Sequence, residues 1–212
     1  MFSQKNSTFA VRAVTALLLL VGLLPAARAG LAIALNSADG TISLIDTETY
    51  KVIGKSIACK EPHHLMATPD DKSVIVACAA SNQLLYFDPL TGKEQKRVRN
   101  ISDPYQIGFS PDGKWFVATS LRLDRVDIYD ARSLTLKARI PAPRTPSHIA
   151  FDDAGKFAFI TLQDSNEVMA INLQTLKKEW VIPVGTTPAG ILMAPDNRHL
   201  MVGIMGEGVV EV

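Results

Sequence analysis

The sequence predicts an all-β fold, a β-propeller of four-stranded antiparallel blades, and three observations carry that prediction. First, a 42-residue period runs through the chain without insertion. Pro62, Pro104, Pro146 and Pro188 keep it, as do Asp46, Asp88, Asp130 and Asn172, and Lys72, Lys114, Lys156 and Arg198. Pro69, Pro111 and Pro195 make a further series, with Asp153 in the remaining slot. Second, each period holds four short apolar runs rich in β-branched residues, separated by turn residues. Third, no period contains a run of helical periodicity long enough for a helical repeat. Four strands per unit of this length fit a propeller blade. A β-sandwich is the next-best architecture, but it requires no fixed long period.

The unit 104–145 shows the elements in order. Tyr105–Ser110 reads as a first strand, closed by Pro111-Asp112-Gly113-Lys114. Proline presets φ there, Asp bonds its own backbone, and glycine takes positive φ. Trp115–Ser120 is the second strand. Arg125–Tyr129 is the third, read as a half-buried strand from its alternation of polar and apolar residues. Asp130 then opens a turn with Ser133 three residues on, a pairing repeated as Asp46/Thr49, Asp88/Thr91 and Asn172/Thr175. An Asx side chain caps a turn's free N–H groups, which accounts for the restriction to Asp or Asn. Thr135–Ile140 is the fourth strand. Tyr86, Trp115, Phe116 and Phe157 fall within strands and read as packing residues, while Trp180 on an outer strand fits either packing or exposure.

The periods divide the chain into a partial blade at 30–61, blades at 62–103, 104–145 and 146–187, and an incomplete blade at 188–212. Residues 1–29 read as a signal peptide to be set aside. Lys5 and Arg12 give a basic start, Ala13–Leu24 is an apolar core too short to span a bilayer comfortably, and Ala27-Arg28-Ala29 is a small-x-small cleavage site. Setting aside Lys5, Arg12 and Arg28 from the 22 basic residues leaves 19 against 21 acidic ones, a formal net charge of −2. That balance gives no footprint for nucleic acid and no strong pull toward an anionic membrane. The expected location is therefore periplasmic or extracellular, with no stable membrane span after cleavage. Export makes a bond between Cys59 and Cys78 chemically permissible, but the reading favoured here is two buried free thiols. Neither a CxxC nor a Cys/His zinc spacing is present, and no CxxCH haem attachment motif occurs.

Particular stretches resemble the YVTN-type β-propeller repeat family. These are Ser110-Pro111-Asp112-Gly113, Ile42-Ser43-Leu44-Ile45-Asp46 and Ile182-Pro183-Val184-Gly185, with Val117-Ala118-Thr119-Ser120 and Phe159-Ile160-Thr161-Leu162 as degenerate forms of the naming element. The resemblance covers residues 31–212. It implies a seven-bladed ring, so the chain is expected to be a C-terminally truncated copy or fragment of one, with open blade edges prone to self-association. The family includes binding scaffolds and a few cofactor-associated proteins.

Unusual chemistry concentrates at one place, the residues that follow the repeated proline where the chain begins its innermost strand. These are His63 and His64, Tyr105 and Gln106, Ser147 and His148, and Ala189 and Gly190. A ring of such residues at the channel mouth is a candidate ligand site, and neutral imidazoles there suit a metal or a haem-like cofactor. The plainer alternative is that the histidines bond backbone groups. His199 reads as structural. Lys60, Arg99, Arg122, Arg125 and Arg144 lie in loops of the same face and would draw in an anionic ligand; Asp103, Asp124 and Asp127 nearby offer ordinary ion pairs instead. The candidate set is His63, His64, Tyr105, Gln106, His148, Arg122 and Arg144, with no metal site assigned.

No GxSxG, HExxH, GxGxxG or P-loop motif is present, and most carboxylates occupy turns. The function expected is a non-enzymatic binding or scaffold propeller presenting its loop face to a protein or a small anionic ligand. The alternatives are a metal-dependent lactonase-like hydrolase, or a redox accessory protein holding a haem or quinone cofactor near His63, His64 and His148.

Overall fold

The structure, a computed structural model, describes residues 30–212. The expected signal peptide lies outside the described residues. Those residues build five antiparallel sheets, each a simple meander. The first holds β1 (Leu31–Asn36), β2 (Thr41–Asp46) and β3 (Val52–Ile57). The second holds β4 (Pro62–Ala67), β5 (Val74–Cys78), β6 (Gln83–Phe87) and β7 (Glu94–Arg99). The third holds β8 (Gln106–Phe109), β9 (Trp115–Ser120), β10 (Arg125–Asp130) and β11 (Leu136–Pro141). The fourth holds β12 (Pro146–Phe151), β13 (Phe157–Leu162), β14 (Glu167–Asn172) and β15 (Lys177–Pro183), and the fifth β16 (Pro188–Met193), β17 (Leu200–Ile204) and β18 (Val209–Glu211). The innermost strands β4, β8, β12 and β16 adjoin one another in chain order, so the sheets stack as blades.

Stacking is forced by strands that are apolar on both faces. In β9, Phe116 and Ala118 join Ile75, Leu84, Ile107 and Tyr129 in a core shared with the second blade. The intervening Val117 joins Val126, Ile128, Ile149, Ile160 and Met169 in a core shared with the fourth. One blade alone would leave both of these faces in water, at about 25 cal/mol for each Å² of apolar surface. The third strand is accordingly not half-buried as its alternation suggested. Val126 to Tyr129 are all buried, and Asp127 is fully enclosed. The physical reason is that its polar residue carries its own partners. Arg139 Nε lies 2.9 Å and Arg125 Nε 3.2 Å from Asp127 Oδ1, and Tyr129 Oη donates to Oδ2 at 3.3 Å. Leu85 and Met169 occupy the same place in the adjoining blades and are buried as hydrocarbon.

The period extends to the backbone. Asp71, Gly113, Gly155 and Asn197 have positive φ, as do Tyr50, Gly92, Leu134 and Leu176, each series at the repeat spacing. A third series is Gly40, Asn82, Asp124, Asn166 and Gly208, and a fourth is Glu61, Asp103, Thr145 and Thr187, each directly before a repeated proline. Left-handed backbone at a non-glycine residue costs energy and persists where the surroundings hold it. Here the hold is visible. Asn82 Oδ1 accepts from Asp103 N–H at 2.7 Å, Asp124 Oδ1 from Thr145 N–H at 2.9 Å, and Asn166 Oδ1 from Thr187 N–H at 2.8 Å. The expected Asx turns also form. Asp46, Asp88, Asp130 and Asn172 each accept through Oδ1 from the backbone N–H three residues on, at 2.7–3.1 Å.

The two cysteines are not free thiols. Cys59 and Cys78 form a disulfide across 19 residues. Linear spacing conceals this, because the meander brings the linker before Pro62 back against the end of β5, where Ala79 N–H donates to Glu61 O at 3.1 Å. Trp180 is half-buried, its ring centroid 5.8 Å from that of Phe159. Apolar side chains remain exposed on the terminal sheets, among them Ile53, Ile57, Leu192 and Val210. Among the described residues, no helix is long and apolar enough to cross a membrane.

Candidate functional site at the start of the innermost strands

Three of the four innermost strands begin irregularly, and β8 alone pairs without a shift. The pairing of β4 with β5 slips between Pro62 and His64, that of β12 with β13 between Pro146 and Ile149, and that of β16 with β17 between Pro188 and Ile191. Such bulges re-aim side chains and recur beside functional sites. The residues they re-aim are the ones the sequence singled out.

His63, Tyr105 and His148 come together from three successive blades. The His63 and Tyr105 rings lie 3.8 Å apart between centroids, and the Tyr105 ring meets that of His148 edge-on at 6.2 Å. His63 Nδ1 is 3.0 Å from the Tyr105 carbonyl oxygen. A carbonyl only accepts, so Nδ1 carries the proton and the neutral ring keeps Nε2 as a bare lone pair. The bond has counterparts elsewhere. Thr119 Oγ1 donates to Ser147 O at 2.7 Å and Thr161 Oγ1 to Ala189 O at 2.8 Å, whereas the second blade has Ala77 at that place. His63 therefore also does the blade-joining work that a threonine does elsewhere, and to that extent the plainer alternative holds for this ring.

His64 stands opposite Ala77 in the ladder. Its Nδ1 is buried and has no hydrogen-bond partner among the described residues. Burial drives its pKa down to about 4, with the neighbouring His148 and His63 pushing the same way. His148 is lowered too, by burial first and then by His63. The imidazoles thus sense one another across two blades, and His64 stays neutral at physiological pH. Unpartnered polar atoms of this kind are rare in folded proteins and call for an explanation.

The other candidates divide. Gln106 spends Oε1 on the Ile149 N–H, at 2.7 Å, and so ties the third blade to the fourth. Arg122 is bound within the protein. Both its terminal nitrogens reach Glu61 Oε2 at 2.9 Å, its Nε reaches Asp103 Oδ1 at 3.0 Å, and its N–H donates to Asp103 Oδ2 at 2.6 Å. It closes a charge-neutralised wall beside the ring cluster, where burial first, and then Glu61, raise the Tyr105 pKa. Arg144 is exposed, with positive φ and its N–H donating to Asp124 Oδ1 at 3.1 Å. His199 pairs with Asp196 in an exposed turn, as its structural reading implied. Among the described residues, no group of three or more His, Cys, Asp or Glu side chains is arranged to hold a metal ion.

Sequence reasoning did not mark an open surface of about 390 Å³ beside His148, where Gly190 and Gly203 lie on the face that Gln106 and Thr161 of earlier blades turn toward the next blade. It also missed the chain behind His148, in which Gln163 Nε2 reaches Ser147 Oγ at 2.8 Å and Ser147 Oγ reaches His148 Nδ1 at 2.5 Å.

The architecture and its repeat find a direct match: residues 9–212 fit the YNCE-like β-propeller family. The chain belongs to that family. Relatives of the YNCE-like chain include antigen Lp49 of Leptospira interrogans, 24% identical over 185 residues covering 76% of this chain and 40% of Lp49. Protein NirF of Pseudomonas aeruginosa is 23% identical over 188 residues, 84% of this chain and 48% of NirF. Among solved structures, dihydro-heme d1 dehydrogenase NirN in complex with DHE superposes with a TM-score of 0.63 at 18% identity, over 90% of this chain and 44% of NirN. That likeness shows the fold. This chain spans 40% and 48% of the length of Lp49 and NirF.

Proposed function

We propose that this YNCE-like propeller is an exported ligand-holding protein whose channel mouth takes a flat, anionic tetrapyrrole of the haem type. Within its family, the repeat is of the YVTN kind on the motifs at Ile42–Asp46, Ser110–Gly113 and Ile182–Gly185. The observation that carries the functional reading is the convergence of His63, His64, Tyr105 and His148 at the start of three innermost strands.

The donor set fits the group. His63 presents a bare Nε2, because its Nδ1 is committed to a carbonyl. His64 is held neutral and keeps an unpartnered buried nitrogen. Neutral imidazole is the form that ligates a metal, and a hydrogen bond from the other ring nitrogen orients such a ligand. The Tyr105 ring adds an aromatic surface between His63 and His148. A bound tetrapyrrole iron would supply one-electron chemistry. The protein's own residues bind and orient: His63 and His64 as donors, Tyr105 as the packing face, and Arg122 as the tie that fixes the wall. Description of the NirN structure as a complex with DHE supports the ligand class. The disulfide supports export, since such bonds persist in oxidising compartments.

Absorption titration of the purified protein with haemin tests the proposal. Saturable binding of one equivalent is expected, weakened at least tenfold in the combined His63→Ala and His64→Ala variant. No saturable binding, or binding indifferent to loss of His63, His64 and His148 together, would overturn it. Turnover of a lactone by metal-loaded protein would favour the hydrolase instead.

A further inference from the structure

We propose that the Cys59–Cys78 disulfide is the positioning element of the His63–His64 pair, and that its reduction by a dithiol loosens the pair and weakens ligand binding. The inference rests on the ligand reading above and adds to it the redox state of the second blade.

In the third and fourth blades a threonine of the second strand holds the start of the innermost strand. Thr119 Oγ1 accepts from Gln106 N–H at 3.1 Å and donates to Ser147 O at 2.7 Å. Thr161 Oγ1 accepts from His148 N–H at 3.0 Å and donates to Ala189 O at 2.8 Å. One hydroxyl thus fixes the strand start of its own blade and joins it to the next. The second blade has Ala77 at that place, and a methyl group does neither. His63 takes over the outward task, through Nδ1 and the Tyr105 carbonyl. The inward task falls to the residue beside Ala77.

That residue is Cys78. It stands opposite Pro62 in the ladder, as Ala77 stands opposite His64. Cys59 lies in the linker three residues before Pro62. The bond therefore closes the linker onto the strand end at the step where the pairing slips. Glu61, between Cys59 and Pro62, is left-handed with a φ of 54°. The other blades carry weaker forms of this link or none. Ser120, at the place of Cys78, donates to Ser102 O at 2.8 Å, and the fourth blade has Leu162 there. Both of those blades keep the threonine. The fifth blade has Gly203 and Ile204, and its strand starts with Ala189-Gly190, which gives it no ring to aim. The covalent link thus falls in the blade that has histidines to hold and no threonine to hold them.

Reduction proceeds at Cys59, which is half-buried, whereas Cys78 is fully enclosed. A thiolate of the dithiol bonds to Cys59 Sγ and expels Cys78 as a thiolate; the second thiol then expels Cys59 and closes the reductant's own disulfide. Two electrons and two protons pass to the protein, which then carries two thiols. What remains to hold the strand start is Ala79 N–H on Glu61 O at 3.1 Å and Ser37 Oγ on Pro62 O at 2.6 Å.

Histidine ring titrations by NMR, with and without dithiothreitol, read the pair without any ligand. In the oxidised protein burial holds the His64 pKa at about 4. On reduction its midpoint should rise by about one unit or more as the ring gains water, while amide signals of the third and fourth blades stay in place. Combined Cys59→Ala and Cys78→Ala should behave as the reduced protein and bind haemin about tenfold more weakly, the lower end of what an orienting group is worth. Ala77→Thr in that background should restore both readouts, since two other blades accommodate threonine at this place. Failure of that rescue would overturn the claim that the bond stands in for the threonine. A His64 midpoint that stays near 4 after reduction would overturn the inference and leave the haem reading standing. Loss of the third- and fourth-blade signals together with the His64 shift would overturn it too, by showing that the bond holds the whole fold. A His64 shift with no haemin binding by either protein would overturn the haem reading and leave the positioning role intact.

Discussion

Replacing His64 with Gln, the residue at the matching place in the next blade, should make the protein more resistant to acid. The imidazole protonates at about 4 in the folded protein against an ordinary value of 6.5, chiefly because it is buried. Between those values the unfolded chain binds a proton that the folded chain refuses. Stability therefore rises with pH across this window and is lost as pH falls through it. The gap corresponds to at most about 3 kcal/mol, at about 1.4 kcal/mol for each pH unit, in a half-buried ring. Full stabilisation is present above about pH 6.5 and is gone near pH 4. His148 contributes in the same direction, so the slope in the wild type is shared and the variant keeps part of it. Urea unfolding at half-unit steps from pH 4 to 7, for wild type and His64→Gln, measures the effect. The two curves should diverge below pH 6.5, with the wild type losing more. Parallel curves over the whole range would refute the claim that burial keeps this ring neutral.

Reducing the Cys59–Cys78 bond, or replacing both residues with Ser, should lower stability by about 3 kcal/mol, the entropic value for a loop of this length; chemical denaturation with and without reductant measures it, and an unchanged midpoint contradicts the pairing. Asp127→Ala should cost about 3–5 kcal/mol by stranding Arg125 and Arg139, whereas Asp127→Met combined with Arg139→Val, the pair found as Met169 and Val181 in the fourth blade, should recover most of it. Thermal unfolding of the three proteins decides between a buried pair that matters through its partners and one that is dispensable.

Much of this was legible before any coordinates. A fixed period with four apolar runs dictates stacked four-stranded blades, and the Pro and Asx series place the turns. The candidate rings were legible for the same reason: residues in register after a repeated proline must share a face. Other features were hidden because their cause is three-dimensional. The alternation at Asp127 looks solvent-facing until a second blade covers it and two arginines neutralise it. An ion pair of Arg122 with Asp103 was foreseeable from the sequence, but its contact with Glu61 appears only once the meander sets the two together. The disulfide depends on a linker folding back onto its own blade, which spacing alone does not encode. The pre-proline residues with positive φ escape sequence reading because Glu61, Asp103 and the two threonines share no side-chain chemistry, only capped N–H groups in three of four cases.

The central claim is that imidazoles from different blades face one another at one mouth, and it can be read without any ligand. Histidine ring titrations followed by NMR in wild type and His63→Gln test it most directly, because His63 adds to the depression that burial imposes on both His64 and His148. Removing the imidazole should move both titrations upward by a part of their depression, burial keeping the rest. Two midpoints that stay where they were would mean that the rings do not meet, and the proposed site would fall with them.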